Sequence, residues 1–336
     1  MSENLSQLRH FSLAMPLSAA KLVDEYNSLV ITLPNSSKRV AIRIQGGLGN
    51  QMFQLALGIA LKKSNSVDID YIQIDEPILK RQKITHRRLE IRKFSSAEKL
   101  RVHKLKSLIS KIRFEDALKS FYLDKSCEVF TEKQFLAKDI QNRTAEVVGL
   151  DGYWQSEAFF RNAKEEVVEA FGSLSKMSSK YKELENIISQ QPTIGVHVRR
   201  GDYVTNVKTN DFHGACSLKY YQSALGIILK NFEFSSVFIF SDDPAWAEKN
   251  LGGPKRLVVS SQYGLSVPEE LKLLSKCSHL VLSNSSFSWW SAFLRENSLG
   301  PSPMVIAPEP WFASTKLASS RLPHWHPLHI ETGSNV

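Results

Sequence analysis

The chain has 336 residues, 42% hydrophobic and 23% charged, so it can bury one or two sizeable cores without disulfide or metal staples. Its three cysteines, Cys127, Cys216 and Cys277, are odd in number and far apart with no Cys-x-x-Cys pair, which argues against a disulfide framework and a structural zinc site and suits a reducing compartment. The net charge of +9 is uneven: residues 80–113 carry 13 Lys/Arg against Glu90 and Glu98, and the rest is close to neutral. Such a local patch, with no nucleic-acid-binding motif beside it, points to an anionic surface or a lipid-linked substrate and away from DNA or RNA. No apolar run approaches the ~18 residues needed to cross a bilayer. The stretch from Phe11 to Ala20 is interrupted by Ser12, Pro16 and Ser18, and Glu3 stands where a signal peptide is positive. The expected address is the cytoplasm, with peripheral contact at the inner membrane through the basic patch.

Residues 1–38 read as an N-terminal extension ending in the breaker-rich Leu33-Pro34-Asn35-Ser36-Ser37-Lys38. Val40, Ile42 and Ile44 alternate as a strand does, and Gly46, Gly47 and Gly49 make a tight turn. Met52, Phe53, Leu55, Ala56, Ile59 and Ala60 then recur at helical spacing, and Ile69 to Ile74 is a second strand. This is the building block of a parallel sheet. Residues 80–145 are basic and mostly helical in pattern. Val147 to Leu150 predicts a short strand, Lys164 to Leu184 a helix, and Gln190-Gln191-Pro192 a hinge. A second series follows: strands at Ile194 to Val198, Val237 to Phe240, Arg256 to Val259 and Leu280 to Leu282, a helix from about Phe287, and a last strand at Met304 to Ile306. His324, His326 and His329, flanked by Pro323 and Pro327, read as a loop without a role. The chain divides accordingly into an extension (1–38), an acceptor-side α/β domain (39–190), a second α/β domain (191–320) and a tail (321–336), with a cleft between the domains.

Polar residues gather just past the carboxyl ends of the strands, where open α/β sheets place ligands. His197-Val198-Arg199-Arg200-Gly201-Asp202-Tyr203 puts two arginines at a strand end, and an arginine fork matches phosphate oxygens. Alone, this reads as a surface salt-bridge loop. Phe240-Ser241-Asp242-Asp243 offers a carboxylate for a ribose hydroxyl or the amino edge of guanine, with Ser241 or Asp242 also able to cap a helix starting near Pro244. Ser283-Asn284-Ser285-Ser286-Phe287-Ser288 combines hydroxyls with a helix start, more than a cap requires, and Trp289 and Trp290 read as core. Gly46-Gly47-Leu48-Gly49-Asn50-Gln51 is neither a dinucleotide fingerprint nor a Walker loop, but it puts Asn50 and Gln51 at a helix start facing the cleft. Asp68-Ile69-Asp70 has Asp-x-Asp spacing but enters its strand instead of leaving it, and the histidines show no metal-ligand spacing.

Together these clusters resemble the bacterial α-1,2-fucosyltransferases. Gly46 to Gln54 resembles their N-terminal signature. His197 to Tyr203 resembles a motif shared more loosely with α-1,6- and protein O-fucosyltransferases, and Leu273 to Leu294 resembles the C-terminal motif. Asp151 to Ser156 and Arg88-Leu89-Glu90-Ile91 add weaker matches, and the resemblance spans residues 39–312. It implies a glycosyltransferase of the B type, two Rossmann-like domains facing a cleft, with GDP-fucose held mainly by the second. It implies transfer without a metal or other cofactor, with inversion from a β-linked donor to an α-linked product, onto a galactose-terminated glycan of surface-polysaccharide or O-antigen type. Arg199 would grip the β-phosphate, with Arg200 beside it. His197 and Asp242 would hold guanine or ribose, and Asn284, Ser285, Ser286 and Phe287 would line the diphosphate. Asn50 would lie near the fucose and the acceptor. Asp202, Asp211 and His213 are candidates for the base. The extension departs from the family pattern, and Leu55 stands where tyrosine is frequent. A fucosyltransferase of α-1,6 linkage and a nucleotide-sugar-binding protein without turnover are the competing readings. For the basic patch, Leu100, Leu105, Leu108, Ile109 and Ile112 predict a helix whose apolar stripe faces inward, with Lys99, Arg101, Lys104, Lys106, Lys111 and Arg113 outward toward solvent or an anionic bilayer.

Overall fold

The computed structural model describes residues 33, 37–75, 88–97, 100–106, 112–136, 144–206, 211, 213–259, 261–298, 302–313 and 320–336. The extension and much of the basic patch (80–87, 98–99 and 107–111) fall outside these. The first sheet contains β1 (Arg39–Arg43), β2 (Asp68–Asp75), β3 (Val102–Lys106), β4 (Cys127–Thr131) and β5 (Val147–Asp151), in the order β3-β2-β1-β5-β4 and parallel throughout. The second contains β6 (Thr193–Val198), β7 (Ser236–Ser241), β8 (Arg256–Val259), β9 (His279–Val281), β10 (Val305–Glu309) and β11 (His326–His329), in the order β11-β10-β9-β6-β7-β8, again all parallel. Counted from β6, that is the doubly wound order 3-2-1-4-5-6. The α/β expectation of two Rossmann-like halves is met.

Central strands buried on both faces need continuous apolar runs. All six residues of β6 are buried, as are Val40, Ala41 and Ile42 of β1. Helix α1 (Leu48–Ser64) is buried on more than one side, because it packs both beneath the first sheet and against the helix that follows β9. That explains why Leu55 is accommodated: it is 2% exposed in a packing face.

Several expectations are corrected. The described part of residues 80–145 is not the run of helices expected: it contributes β3 and β4, with the helix α2 (Phe114–Phe121) between them and a short helical turn, Glu132–Leu136, after β4. The predicted helix through 99–113 is replaced over Val102–Lys106 by an edge strand hydrogen-bonded to β2. There Leu105 packs, with Ile112, on the cluster around Phe114 and Leu118. Lys104 on an edge is a common guard against strand pairing with other chains. The single helix expected over 164–184 is two, α3 (Lys164–Ala170) and α4 (Ser179–Gln190). Phe171 is buried against Trp290, Leu174 bridges to Phe94, and Ser178 caps α4 by accepting from the Tyr181 N–H at 3.1 Å. After β6 come α5 (Gly201–Thr205) and α6 (Leu218–Asn231), then α7 (Pro244–Leu251), α8 (Val267–Leu274) and α9 (Ser286–Glu296). Asp243, not Ser241 or Asp242, caps α7, accepting from Trp246 N at 3.1 Å. The last strand is β11, inside the expected tail, so the tail is not a plain loop. Leu328 is buried there, and Pro327 is tolerated because β11 is an edge.

Candidate functional site

In a doubly wound sheet the crevice opens where neighbouring strands send their connections to opposite faces. For the second sheet this is between β6 and β9, and the chain leaving those strands carries residues 199–203 and 282–287. His197, in β6 and 7% exposed, makes a 2.7 Å hydrogen bond through Nδ1 with Ser283 Oγ, and its ring stacks on Phe287 at 4.9 Å. Arg199 pairs through Nη1 with Asp242 Oδ2 at 2.9 Å and lies over the Tyr203 ring at 5.5 Å. The Tyr203 hydroxyl donates to the Asn284 carbonyl at 3.2 Å, which ties the arginine turn to the start of α9. Asp242, at the end of β7, also accepts from the backbone N–H groups of Arg200 (2.8 Å) and Gly201 (3.3 Å). It therefore shapes the turn as well as orienting Arg199. Arg200 sits 3.5 Å from Asp243 and 4.1 Å over the Trp246 ring, on the α7 side. The salt-bridge reading of this loop is thus partly right, since both arginines have carboxylate partners.

At α9, Ser285 is the cap, accepting from Phe287 N at 3.3 Å, and Ser288 Oγ donates to the Ser283 and Ser285 carbonyls. Asn284 is 1% exposed, and its amide donates to the carbonyls of His213 (2.7 Å) and Gly214 (3.0 Å). Its visible role is to hold the 213–214 segment. His213 stacks on Tyr203 at 4.7 Å with the ring planes nearly parallel, and Asp211 is exposed. Asp202 lies in α5, with its side chain outside the described residues. The half-buried Ser285, Ser286 and Phe287 present the first turn of α9, whose N–H groups and dipole favour an anion.

The first sheet has its own switch point, between β1 and β5. Arg43 Nη1 and Gln45 Nε2 both donate to Asp151, at 3.0 and 3.1 Å, and Gln54 Nε2 donates to the Gly152 carbonyl at 2.9 Å. The Gly46 turn has φ +77°, a conformation glycine adopts without cost. Asn50 is where the two switch points meet. Its Oδ1 accepts from Gln155 Nε2 (2.7 Å) and from Ser286 Oγ (3.0 Å). Trp290 Nε1 donates to the Gly49 carbonyl at 2.9 Å. A Cβ on Gly49 would stand 2.5 Å from the Ser286 carbonyl carbon, so only glycine lets these backbones approach. Phe53, Phe160, Trp289, Trp290 and Phe293 form an aromatic cluster behind the junction.

Glu132 escaped the sequence reading. Its Oε1 accepts from the N–H groups of both Tyr153 and Trp154, each at 2.6 Å. Gly152 makes the approach feasible, because a Cβ there would meet Glu132 Cγ at 2.8 Å. A lone glutamate just past an unpredicted strand carries no local signal of this. The carboxylates of Asp68 and Asp70 both meet Arg39, Asp68 at 3.0 Å. Asp70 accepts from Arg39 (2.6 Å) and Tyr122 (2.7 Å), and His103 lies 3.1 Å away.

His197 supplies a pH test. Burial, with the nearby Arg199 charge, pushes its ring down to about 3. The unfolded chain takes up this proton as pH falls through about 6.5, while the folded chain does so only near pH 3. Stability is therefore lost on acidification across that window, by about 1–2 kcal/mol between pH 7 and pH 5. In urea titrations at the two pH values, His197→Gln is expected to lose less stability than the parent by about that amount. Equal losses would mean that His197 is not held neutral.

Residues 14–329 match the profile of glycosyl transferase family 11, and the chain belongs to that family. An Escherichia coli α-1,2-colitosyltransferase is 31% identical over 284 residues, 83% of this chain and 94% of that protein. An O-antigen biosynthesis glycosyltransferase of E. coli, WbnK, is 28% identical over 302 residues, 84% of this chain and 98% of that protein. Among solved structures, the fucosyltransferase NodZ from Bradyrhizobium aligns with a TM-score of 0.46 at 15% identity, covering 77% of this chain and 93% of that one. No helix among the described residues is long and apolar enough to cross a membrane.

Proposed function

We propose that this glycosyltransferase moves L-fucose from GDP-β-L-fucose to the 2-hydroxyl of a terminal β-galactoside, with inversion and without a metal. The observation that carries this reading is the junction of Arg199 and the α9 start at the second sheet's switch point, linked through Tyr203 and Asn284. Cleavage of the sugar–phosphate bond sends charge onto the diphosphate while the sugar becomes oxocarbenium-like. Fixed donors aimed at developing charge lower that barrier. Arg199, the α9 N–H groups and the Ser285 hydroxyl are such donors, while the Ser286 hydroxyl is given to Asn50. The His197–Phe287 stack and Asp242 would receive the nucleoside. With Asn50 Oδ1 engaged by Gln155 and Ser286, its Nδ2 is the atom that would meet a sugar hydroxyl. Asp202, Asp211 and His213 remain the candidates for taking the acceptor proton.

The colitosyltransferase relative favours a second reading, with GDP-colitose as donor. Colitose is L-fucose without the 3-hydroxyl, so the two donors would share every diphosphate and nucleoside contact. The test offers each donor with a panel of β-galactosides, with and without EDTA, and maps the product linkage. Fucosyl product linked α-1,2 at a rate unchanged by EDTA is the expected result. Another linkage sinks the acceptor reading. A rate lost in EDTA and restored by Mg²⁺ or Mn²⁺ sinks metal independence.

A further inference from the structure

A second organised feature, apart from the Arg199 cluster, is the turn after β5. Asp151 is tied to Arg43 and Gln45, Gly152 to Gln54, and Gln155 to Asn50. Two successive N–H groups, of Tyr153 and Trp154, close on one Glu132 oxygen. Trp154 has φ +58°, rare for a residue with a side chain and costly enough to need a surrounding that enforces it. This twist drives the Trp154 indole inward, fully buried and edge-on to Phe159 at 5.2 Å. It leaves Tyr153, its neighbour, 44% exposed.

That exposed ring is not at an arbitrary place. The position a Cβ would take on Gly46 is 3.2 Å from Tyr153 Cε1 and 2.6 Å from Asn50 Nδ2. The tyrosine ring edge and the Asn50 amide therefore both border the open space above the Gly46 Cα. An exposed aromatic on a clamped turn loses little conformational freedom on binding. Beside an amide donor it offers what a pyranose ring needs, a flat apolar face for its C–H groups and a polar edge for its hydroxyls.

We propose that Tyr153 is the stacking platform for the acceptor sugar, receiving the C3–C4–C5 hydrogen face of a terminal galactose next to Asn50. This rests on the β-galactoside reading above and adds where that sugar sits. In galactose the axial 4-hydroxyl leaves the C3, C4 and C5 hydrogens on one face, so stacking there leaves the hydroxyl edge to the amide.

The experiment compares the parent enzyme with Tyr153→Ala and Tyr153→Phe. The acceptor KM for lactose and the donor KM for GDP-fucose are measured, and lactose binding is followed independently by saturation-transfer NMR. Tyr153→Ala is expected to raise the acceptor KM about tenfold, the scale of one aromatic contact with its buried area. The donor KM should stay within about twofold and Tyr153→Phe should restore most of the loss, because the ring face and not the hydroxyl makes the contact. In the NMR arm, saturation should reach galactose H3, H4 and H5 in the parent and vanish in Tyr153→Ala. An unchanged acceptor KM in Tyr153→Ala overturns the platform, and so does an equal rise in donor KM. A parent that binds lactose through those protons but transfers no sugar to it leaves the platform standing and removes the transfer reading. A parent with no lactose signal and no transfer removes both.

Discussion

Replacing Arg199 with alanine is expected to cut sugar transfer at least ~10²-fold, the scale for losing one preorganised donor at the developing charge. The structure gives the reason for so large an effect. Asp242 aligns the guanidinium at 2.9 Å, and the Tyr203 ring supports it from beneath. Its direction is thus set before any ligand arrives. Arg199→Lys should recover little, since an ammonium cannot present two parallel N–H groups or lie flat on an aromatic ring. Steady-state turnover of a variant whose circular dichroism matches the parent decides the matter. Near-parental rates in folded Arg199→Ala would remove Arg199 from the mechanism.

The largest loss of stability is expected from Trp290→Ala, about 3–5 kcal/mol, the usual cost of emptying a large aromatic site in a core. Trp290 is fully buried, touches the rings of Phe53, Phe160, Phe171, Trp289 and Phe293, and donates to the Gly49 carbonyl. Phe53 and Gly49 belong to the helix beneath the first sheet, and Trp290 to the helix that leaves the second. Trp290→Phe keeps a ring in place and forfeits mainly the hydrogen bond, so its cost should be nearer 1–2 kcal/mol. Urea unfolding of the two variants measures the difference. Equal costs would show that the carbonyl contact, not the aromatic packing, carries the stability.

The candidate site is legible in the sequence because it sits where strands stop. β6, β7 and β9 are short buried apolar runs, and each ends in a polar cluster that no core could accept. What pairs with what is less local. His197 finds Ser283, and Asn50 finds Ser286, across large separations in the chain. Only shared membership in three motifs hints at those partners. The failures have the same origin. β3 and β11 are edge strands, with one neighbour each and lysine, histidine or proline in them, so their alternation is diluted. The spacing of Leu100, Leu105 and Ile112 satisfies a helix on paper. The open edge of β2, a demand created by the rest of the sheet, decides otherwise. Glu132 was invisible because a carboxylate that binds backbone N–H groups leaves no pattern in the residues it binds.

The close approach of Gly49 to Ser286 also limits how such a chain can change. No room exists there for even a methyl group, and the Asn50 and Trp290 hydrogen bonds cross the same seam. The two halves therefore cannot be exchanged freely between homologues, as independently evolving modules could be. A hybrid that takes residues 39–151 from one parent must inherit a compatible 283–290 from the same parent. A change on one side of the seam is therefore expected to need a matching change on the other, because Gly49 and Asn50 are joined to Ser286 and Trp290 across it.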